Sequence, residues 1–281
     1  MDERAGQGIG GMGTVADVVA VVHRRYDPAG AEPWDAVGLV CGDPAAPVRR
    51  IHLAVDPVEQ VVDEALAADA DLLITHHPLL LRPVSSVAAT TPAGRVVHRL
   101  VRGGCALLAA HTNADVAHDG VSDALAELLG VTGLSPLEPS SLGSGTGLGR
   151  IGDVEPGMSL RSFAERVSAS LPATAHGVRV AGDLDRPVER VAVCGGSGSD
   201  LLEAATAAGA DVLVTADLKH HVALDHLASG GCAVVDVAHW ASEWPWLARA
   251  AALLVSDLAA IGVTVDTHVS RIVTDPWTAR L

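Results

Sequence analysis

The chain has 281 residues, 49% of them hydrophobic but only 2% aromatic, and a net charge of −15. That length suits one large α/β domain or two small ones, with a core built from Ala, Val and Leu. A single lysine and scattered arginines exclude nucleic acid as a main partner, because neutralising phosphates takes clustered cations.

Residues 1–13 are Gly-rich and polar and are expected to form a flexible extension. From 14 to 130 the pattern predicts a first α/β half. Thr14 caps a helix running to His23, and residues 51–55 alternate as a strand. Residues 57–68 have helical spacing, 71–75 form a buried strand, and 96–102 belong to another helix. A strand at 106–110 and a helix at 121–129 complete this half. Residues 131–186 are richer in Gly, Pro and Ser. They predict a connector with one helix at 160–171 and short strands at Ile151 and 178–180, too short to hold an extra domain. A second α/β half at 187–281 has strands near 191–194, 211–215 and 233–237. Alternating strands and helices imply mainly parallel sheets covered on both faces.

No stretch approaches the roughly 20 apolar residues of a membrane helix, and no signal-peptide pattern is visible, so a cytoplasmic protein without a membrane partner is expected. The four cysteines, Cys41, Cys105, Cys194 and Cys232, lack metal-site spacing and read as reduced thiols.

The two halves repeat each other. At an offset of 140, seven of the eleven positions from Ala65 to Thr75 recur identically in Ala205 to Thr215. Gly103-Gly-Cys-Ala, leading to His111 and Asp115, is matched by Gly230-Gly-Cys-Ala, leading to His239 and Glu243. Each copy ends an apolar strand with His and places a carboxylate four residues later. We read this as an internal duplication.

Ligands bind beyond the carboxyl ends of parallel strands. His76 and His77 stand there after strand 71–75, Asp115 just past strand 106–110, and His239 and Glu243 just past strand 233–237. One histidine at a strand end is more often a polar cap than a ligand. Three histidines and two carboxylates from both halves instead predict a metal site between the halves, with too many donors for one tetrahedral ion. They fit two divalent ions about 3.5–4 Å apart, and imidazole with carboxylate suits zinc, iron or manganese. His111, the counterpart of His239, could orient a ligand, move protons or bind metal.

Other positions carry weaker signals. Gly195, Gly196 and Gly198 follow a strand and open a helix, a setting where backbone N–H groups can hold phosphate. Lys219 is a candidate partner for a substrate phosphate, and His221 joins His111 as a candidate proton carrier. Trp240, Trp244 and Trp246 are expected at a subunit contact.

The chain resembles the GTP cyclohydrolase 1 type 2 family, the Nif-three-like dinuclear metal centre proteins. The resemblance is carried by Trp34-Asp-Ala-Val-Gly-Leu39, Ile74-Thr-His-His-Pro-Leu79 and Ala110-His-Thr-Asn-Ala-Asp115. Val191-Ala-Val-Cys-Gly-Gly-Ser-Gly198, Thr215-Ala-Asp-Leu-Lys-His220 and His239-Trp-Ala-Ser-Glu243 extend it. It implies a two-metal site at His76, His77, Asp115, His239 and Glu243, and toroidal homohexamers with the sites facing an internal cavity. Ala216 departs from the glycine common in the family. The function implied is a metal-dependent hydrolase acting on a nucleotide or other small phosphorylated compound, with attack on the guanine ring of GTP suggested by the family name. A dinuclear phosphoesterase would use the same ligands, and a non-catalytic metal-binding assembly or regulatory protein is the alternative from another class.

Overall fold

The computed structural model describes residues 11–281. In chain order the first part holds β1 (Gly13–Thr14), α1 (Val15–Arg25), β2 (Gly38–Cys41), β3 (Pro47–Val48), β4 (Arg50–Ala54), α2 (Glu59–Ala67), β5 (Leu72–Thr75) and α3 (Pro92–Gly103). It continues with β6 (Ala106–Ala109), α4 (Thr112–Val116), α5 (Val121–Leu128), β7 (Thr132–Pro139), β8 (Gly147–Ser159) and α6 (Leu160–Ser170). The remainder is β9 (Arg179–Ala181), β10 (Pro187–Ser197), α7 (Leu202–Ala207), β11 (Val212–Ala216), α8 (His220–Ala228), β12 (Ala233–Val237), α9 (His239–Ala260) and β13 (Asp266–Val269).

Two main sheets form, in the orders β13-β4-β5-β6-β2 and β7-β8-β10-β11-β12-β9. The strands β4, β5 and β6 run parallel, as do β10, β11 and β12. Their cores are continuous apolar runs. Every residue of β5, β6, β11 and β12 is buried, as expected where helices cover both faces of a parallel sheet. One shared core includes Leu53, Ile74 and Leu108 from the first sheet and Val191, Val214 and Val235 from the second. The 22-residue α9 packs against both sheets and against α5, so its first turn lies where the two sets of strand ends meet. Smaller apolar clusters fill the outer faces.

The same hydrogen bonds recur 140 residues apart. The backbone N–H groups of Arg49 and Arg50 donate to Asp71 Oδ2 at 2.7 and 2.9 Å. Those of Glu189 and Arg190 donate to Asp211 Oδ2 at 2.9 Å each. Arg50 and Arg190 then reach the carbonyls of Ala68 and Ala208.

The sequence reading departs from the structure in three places. Residues 1–10 of the expected extension lie outside the described residues, whereas Gly11 already pairs with Val263 and β1 pairs with β3. Residues 131–186 are less a connector than part of the second sheet. They supply its long antiparallel strands β7 and β8 and, on the far side, β9. Finally, β13 crosses back to pair with β4, so the chain's end belongs to the first sheet. Among the described residues no helix is long and apolar enough to cross a membrane.

The tryptophans also depart from expectation. Trp240 and Trp246 are buried within the chain, and Trp246 donates from Nε1 to the hydroxyl of Tyr26 at 3.1 Å. Trp244 donates to the Ser270 carbonyl at 2.9 Å. Trp240 and Trp246 fill this chain's own interior, while Trp244 is half-buried. The exposed tryptophans are Trp34 and Trp277.

Candidate metal centre

The ends of β5, β6 and β12 bring the predicted ligands together. Past β5 the backbone stays tied to its neighbour, with His76 and His77 N–H donating to the Ala54 and Val55 carbonyls. The Thr75 hydroxyl closes the turn by donating to the His77 carbonyl at 2.8 Å. His76 is fully buried and His77 partly so. His239 and Glu243 are one turn apart on α9 and therefore share a face.

Each histidine is anchored through Nδ1. His76 Nδ1 lies 2.9 Å from the Ala110 carbonyl, His77 Nδ1 2.7 Å from Asp56, and His239 Nδ1 2.7 Å from Asp217. A carbonyl or carboxylate oxygen can only accept here, so Nδ1 carries the proton and each neutral ring keeps its Nε2 lone pair for the centre. These lone pairs converge. His77 Nε2 and His239 Nε2 are 3.3 Å apart, and Glu243 reaches His239, His77 and His76 at 2.8, 3.3 and 3.4 Å. Asp115 Oδ1 stands 3.7 Å from His76 Nε2. Donors bound at about 2.05 Å around a tetrahedral ion are separated by ~3.3 Å, so several of these spacings match.

The buried atoms His76 Nε2 and Glu243 Oε2 have no hydrogen-bond partner. Orphaned polar atoms of this kind are costly, and here they face the same space as the other lone pairs. A divalent cation would satisfy both. The residues present therefore fit a metal site.

Electrostatics point the same way. Burial alone would lower the His77 and His239 pKa values, but Glu243, Asp56 and Asp217 outweigh it and push them up to about 11 and about 10. Without a cation these rings take up a proton on Nε2, and the neutral form with its Nε2 lone pair free is the one a bound cation would select. Burial pushes the Asp115 carboxyl up to about 6, with Glu243 adding to the shift, while the histidines hold Glu243 well below the usual carboxylate range.

His111 joins this group. Its ring lies edge-on to His76 and His77, with centroids 5.2 and 5.4 Å away, and its Nδ1 is 2.8 Å from Asp35. Burial and the neighbouring His76 lower its pKa, which keeps it neutral. His76, His77 and His111 each place a donor atom within 4.8 Å of the others, as do His77, His239 and Glu243.

The glycine turn at the end of β10 has a steric role. Gly195 N–H donates to Ser122 Oγ and Gly196 N–H to Ser242 Oγ, so neither is free for a phosphate. Gly196 has φ +68°, and a Cβ there would sit 2.5 Å from Glu243 Oε1. Gly198 is similarly close to Thr215 and Cys194. Lys219 and His221 are exposed at the start of α8, and neither lines the cavity at the centre. Within this chain neither His221 nor Lys219 is brought to the centre.

A second cluster, His52, Glu64 and His268, makes a useful contrast. His52 and His268 are partners across β4 and β13 with stacked rings 4.8 Å apart, and His52 Nε2 is 2.9 Å from Glu64. His52 Nδ1, however, is buried without a partner, so this ring lacks the anchor that all four histidines at the centre possess.

The sequence reading missed the anchors Asp35, Asp56 and Asp217. Each was visible as a carboxylate at or near a strand end, but nothing local says which histidine it holds. Two cavities flank the centre. One of about 470 Å³ includes His111, Asp115, His239 and Glu243 in its wall. The other, about 270 Å³, is lined by His77, His239, Asp56 and Asp217.

The chain and its fold are similar to known proteins. The family model for Duf34/NIF3 (NGG1p interacting factor 3) matches residues 13–276. A Streptomyces coelicolor protein named GTP cyclohydrolase 1 type 2 homolog is 47% identical, over 96% of this chain and 95% of its own length. A Mycobacterium tuberculosis protein of the same name is 37% identical, over 94% of this chain and 96% of its own. The solved structure of a Bacillus cereus protein related to NIF3 superposes with TM-score 0.88 at 26% identity, covering 95% of this chain and 99% of that one. A Staphylococcus aureus hypothetical protein gives TM-score 0.88 at 28% identity, covering 96% of this chain and 100% of the other. With its match along nearly the whole chain and its fold in agreement, the chain belongs to the DUF34/NIF3 family.

Proposed function

We propose that this protein is a metal-dependent hydrolase with two divalent ions, zinc, iron or manganese, held by His76, His77, Asp115, His239 and Glu243. The observation that supports it best is the set of inward-facing Nε2 atoms fixed by Nδ1 anchors around a buried, unsatisfied Glu243 oxygen. Such ions, when bound, lower the pKa of water and polarise the group under attack. The protein's own residues supply the rest. Asp56 and Asp217 orient His77 and His239 and set their tautomers. Glu243, within reach of His239, His77 and His76, would hold metal together with them. His111 is neutral, partly exposed and anchored to Asp35, so its Nε2 can take a proton at the cavity wall.

The relatives' name, GTP cyclohydrolase 1 type 2 homolog, supports a nucleotide-related substrate. The direct test is turnover by zinc-, manganese- and iron-loaded protein on GTP, other nucleotides and a phosphoester panel. Product formation dependent on His76 and Glu243 is the expected result. Failure of all three preparations on the whole panel would favour a metal-binding assembly protein. We also propose a homohexamer, on the family resemblance alone. Light scattering that found a stable monomer at micromolar concentration would overturn it.

A further inference from the structure

A cluster outside the centre carries a donor set of its own. His52 lies on β4, His268 on β13 and Glu64 on α2, and each offers a ligand atom within 4.8 Å of the other two. The neighbours of His52 settle which way it points. Ile51 and Leu53 pack into the shared core, whereas Ala54 joins the outer cluster with Val61 and Val62 of α2. Side chains alternate along a strand, so His52 faces α2. His268 is its register partner on the parallel edge strand and shows the same face. The two rings stack with centroids 4.8 Å apart and 26° between their planes. Both Nε2 atoms turn to one carboxylate: His52 Nε2 is 2.9 Å from Glu64 Oε2, and His268 Nε2 is 3.8 Å from Glu64 Oε1.

These spacings straddle the ~3.3 Å that separates donors bound at about 2.05 Å around a tetrahedral ion. Two of the three groups are already held in place. His52 is fully buried, and Glu64 accepts from the Ser270 hydroxyl. The His268 side chain is 60% exposed, which gives an ion entry from solvent and leaves room for water. Within the chain the hydrogen bonding of His52 is incomplete. Nε2–H can donate to Glu64, but Nδ1 is buried without a partner, so that single bond alone fixes the tautomer. A proton on Nδ1 instead turns the Nε2 lone pair onto the carboxylate, an arrangement that repels on its own and that a cation between them stabilises. Nδ1–H would still lack an acceptor. That missing anchor makes the site weaker than the centre by about 10- to 100-fold.

We infer that His52, Glu64 and His268 form a separate, peripheral site for one divalent cation of the zinc class, with water completing its coordination. An ion there ties together β4, α2 and the edge strand β13. Ser270, which follows β13, donates its N–H to the Leu53 carbonyl and accepts at its own carbonyl from Trp244 of α9. The ion therefore fastens the returning chain end to the sheet that carries His76 and His77, and its effect is on stability. The inference does not rest on hydrolysis at the centre.

The test titrates chelator-stripped, full-length protein with zinc against a competing fluorescent chelator. Wild type should bind one more ion per chain than the centre holds, and more weakly. His268→Ala, at an exposed position, should lose that weak ion and keep the tight zinc; Glu64→Gln should weaken the same ion about tenfold or more. His76→Ala breaks the centre and should retain the weak ion. In that background zinc should raise the thermal midpoint, and adding His268→Ala should reduce the rise. A zinc count and affinity unchanged by both His268→Ala and Glu64→Gln, or an equal midpoint rise with and without His268, overturns the inference and leaves the cluster a hydrogen-bonded clamp. Loss of the centre's ions together with the weak one in His268→Ala, with circular dichroism unchanged, also overturns it, because the two sites would then not be separate. Failure of every turnover assay would sink the hydrolase and leave this inference standing.

Discussion

The two sheets use the same device at the start of their strands and different devices at the end. Asp71 and Asp211 each accept two backbone N–H groups from the neighbouring strand, in the same geometry 140 residues apart. At the carboxyl ends the same offset pairs Asp56 with Gly196 and His76-His77 with Ala216-Asp217. The first half thus offers ligands and an anchor where the second offers space and an anchor. Asp217 even adopts φ +58° to hold His239. Strand starts only have to build a sheet, and there the two halves use the same hydrogen bonds. Strand ends face the cavity between the sheets, where chemistry decides the residue. Two similar halves therefore meet at one asymmetric centre.

Breaking the centre from either side should have the largest effect. Glu243→Ala from the second half and His76→Ala from the first should each lose at least about one ion per chain by elemental analysis. Unchanged metal content in both variants would overturn the ligand assignment. The glycine that stands where the first half has Asp56 comes next. Gly196→Ala places a methyl group 2.5 Å from Glu243 Oε1 and should lower metal affinity about 100-fold or more. Gly209→Ala, at φ +77° with nothing within 4 Å, carries only the left-handed strain of about 1–2 kcal/mol and should leave affinity unchanged. Competition with a fluorescent chelator separates the two.

The anchors sharpen the comparison further. Asp56→Asn and Asp217→Asn should each weaken metal binding by about 10- to 100-fold in the same competition assay. Asp56 should be the more sensitive, because its side chain is 24% exposed against 56% for Asp217. Equal metal affinity in both variants and the wild type would remove the anchors from the argument.

A smaller effect concerns pH. In metal-free protein the folded pKa values of His77 and His239, about 11 and about 10, lie above the unfolded value near 6.5. Their contribution to stability is fully present below that unfolded value and is lost as pH rises through the folded ones. Thermal unfolding with chelator should therefore show a midpoint falling from pH 7 to 10, with a flatter profile after zinc is added. His52 has the opposite sign: burial lowers its pKa, so its contribution is lost as pH falls below the unfolded value. Replacement by Gln should flatten the acid side of the profile. The smallest expected effect is at Lys219 and His221, whose alanine variants should leave metal content and turnover unchanged.

Much of the centre was legible before any coordinates. An apolar run followed by His-His-Pro, and two strands ending in His with an acid four residues on, place donors at the rim of a parallel sheet by local rules alone. The alternation of strands and helices gave the α/β class for the same reason, since burial on both faces leaves its mark in short stretches of sequence. What no local pattern held was everything that depends on residues meeting across the chain. The return of β13 to the first sheet, and the membership of β7 and β8 in the second, are pairings over long separations that turn-rich composition conceals. The tryptophans near the site looked like surface because their spacing cannot show that α9 lies between two sheets. The pairing of Asp35 with His111, Asp56 with His77 and Asp217 with His239 was fixed only when separate strand ends converged, because a hydrogen bond between side chains is decided by distance and direction in space. Sequence determined which atoms were available to the centre, and tertiary packing decided which of them hold the others in place.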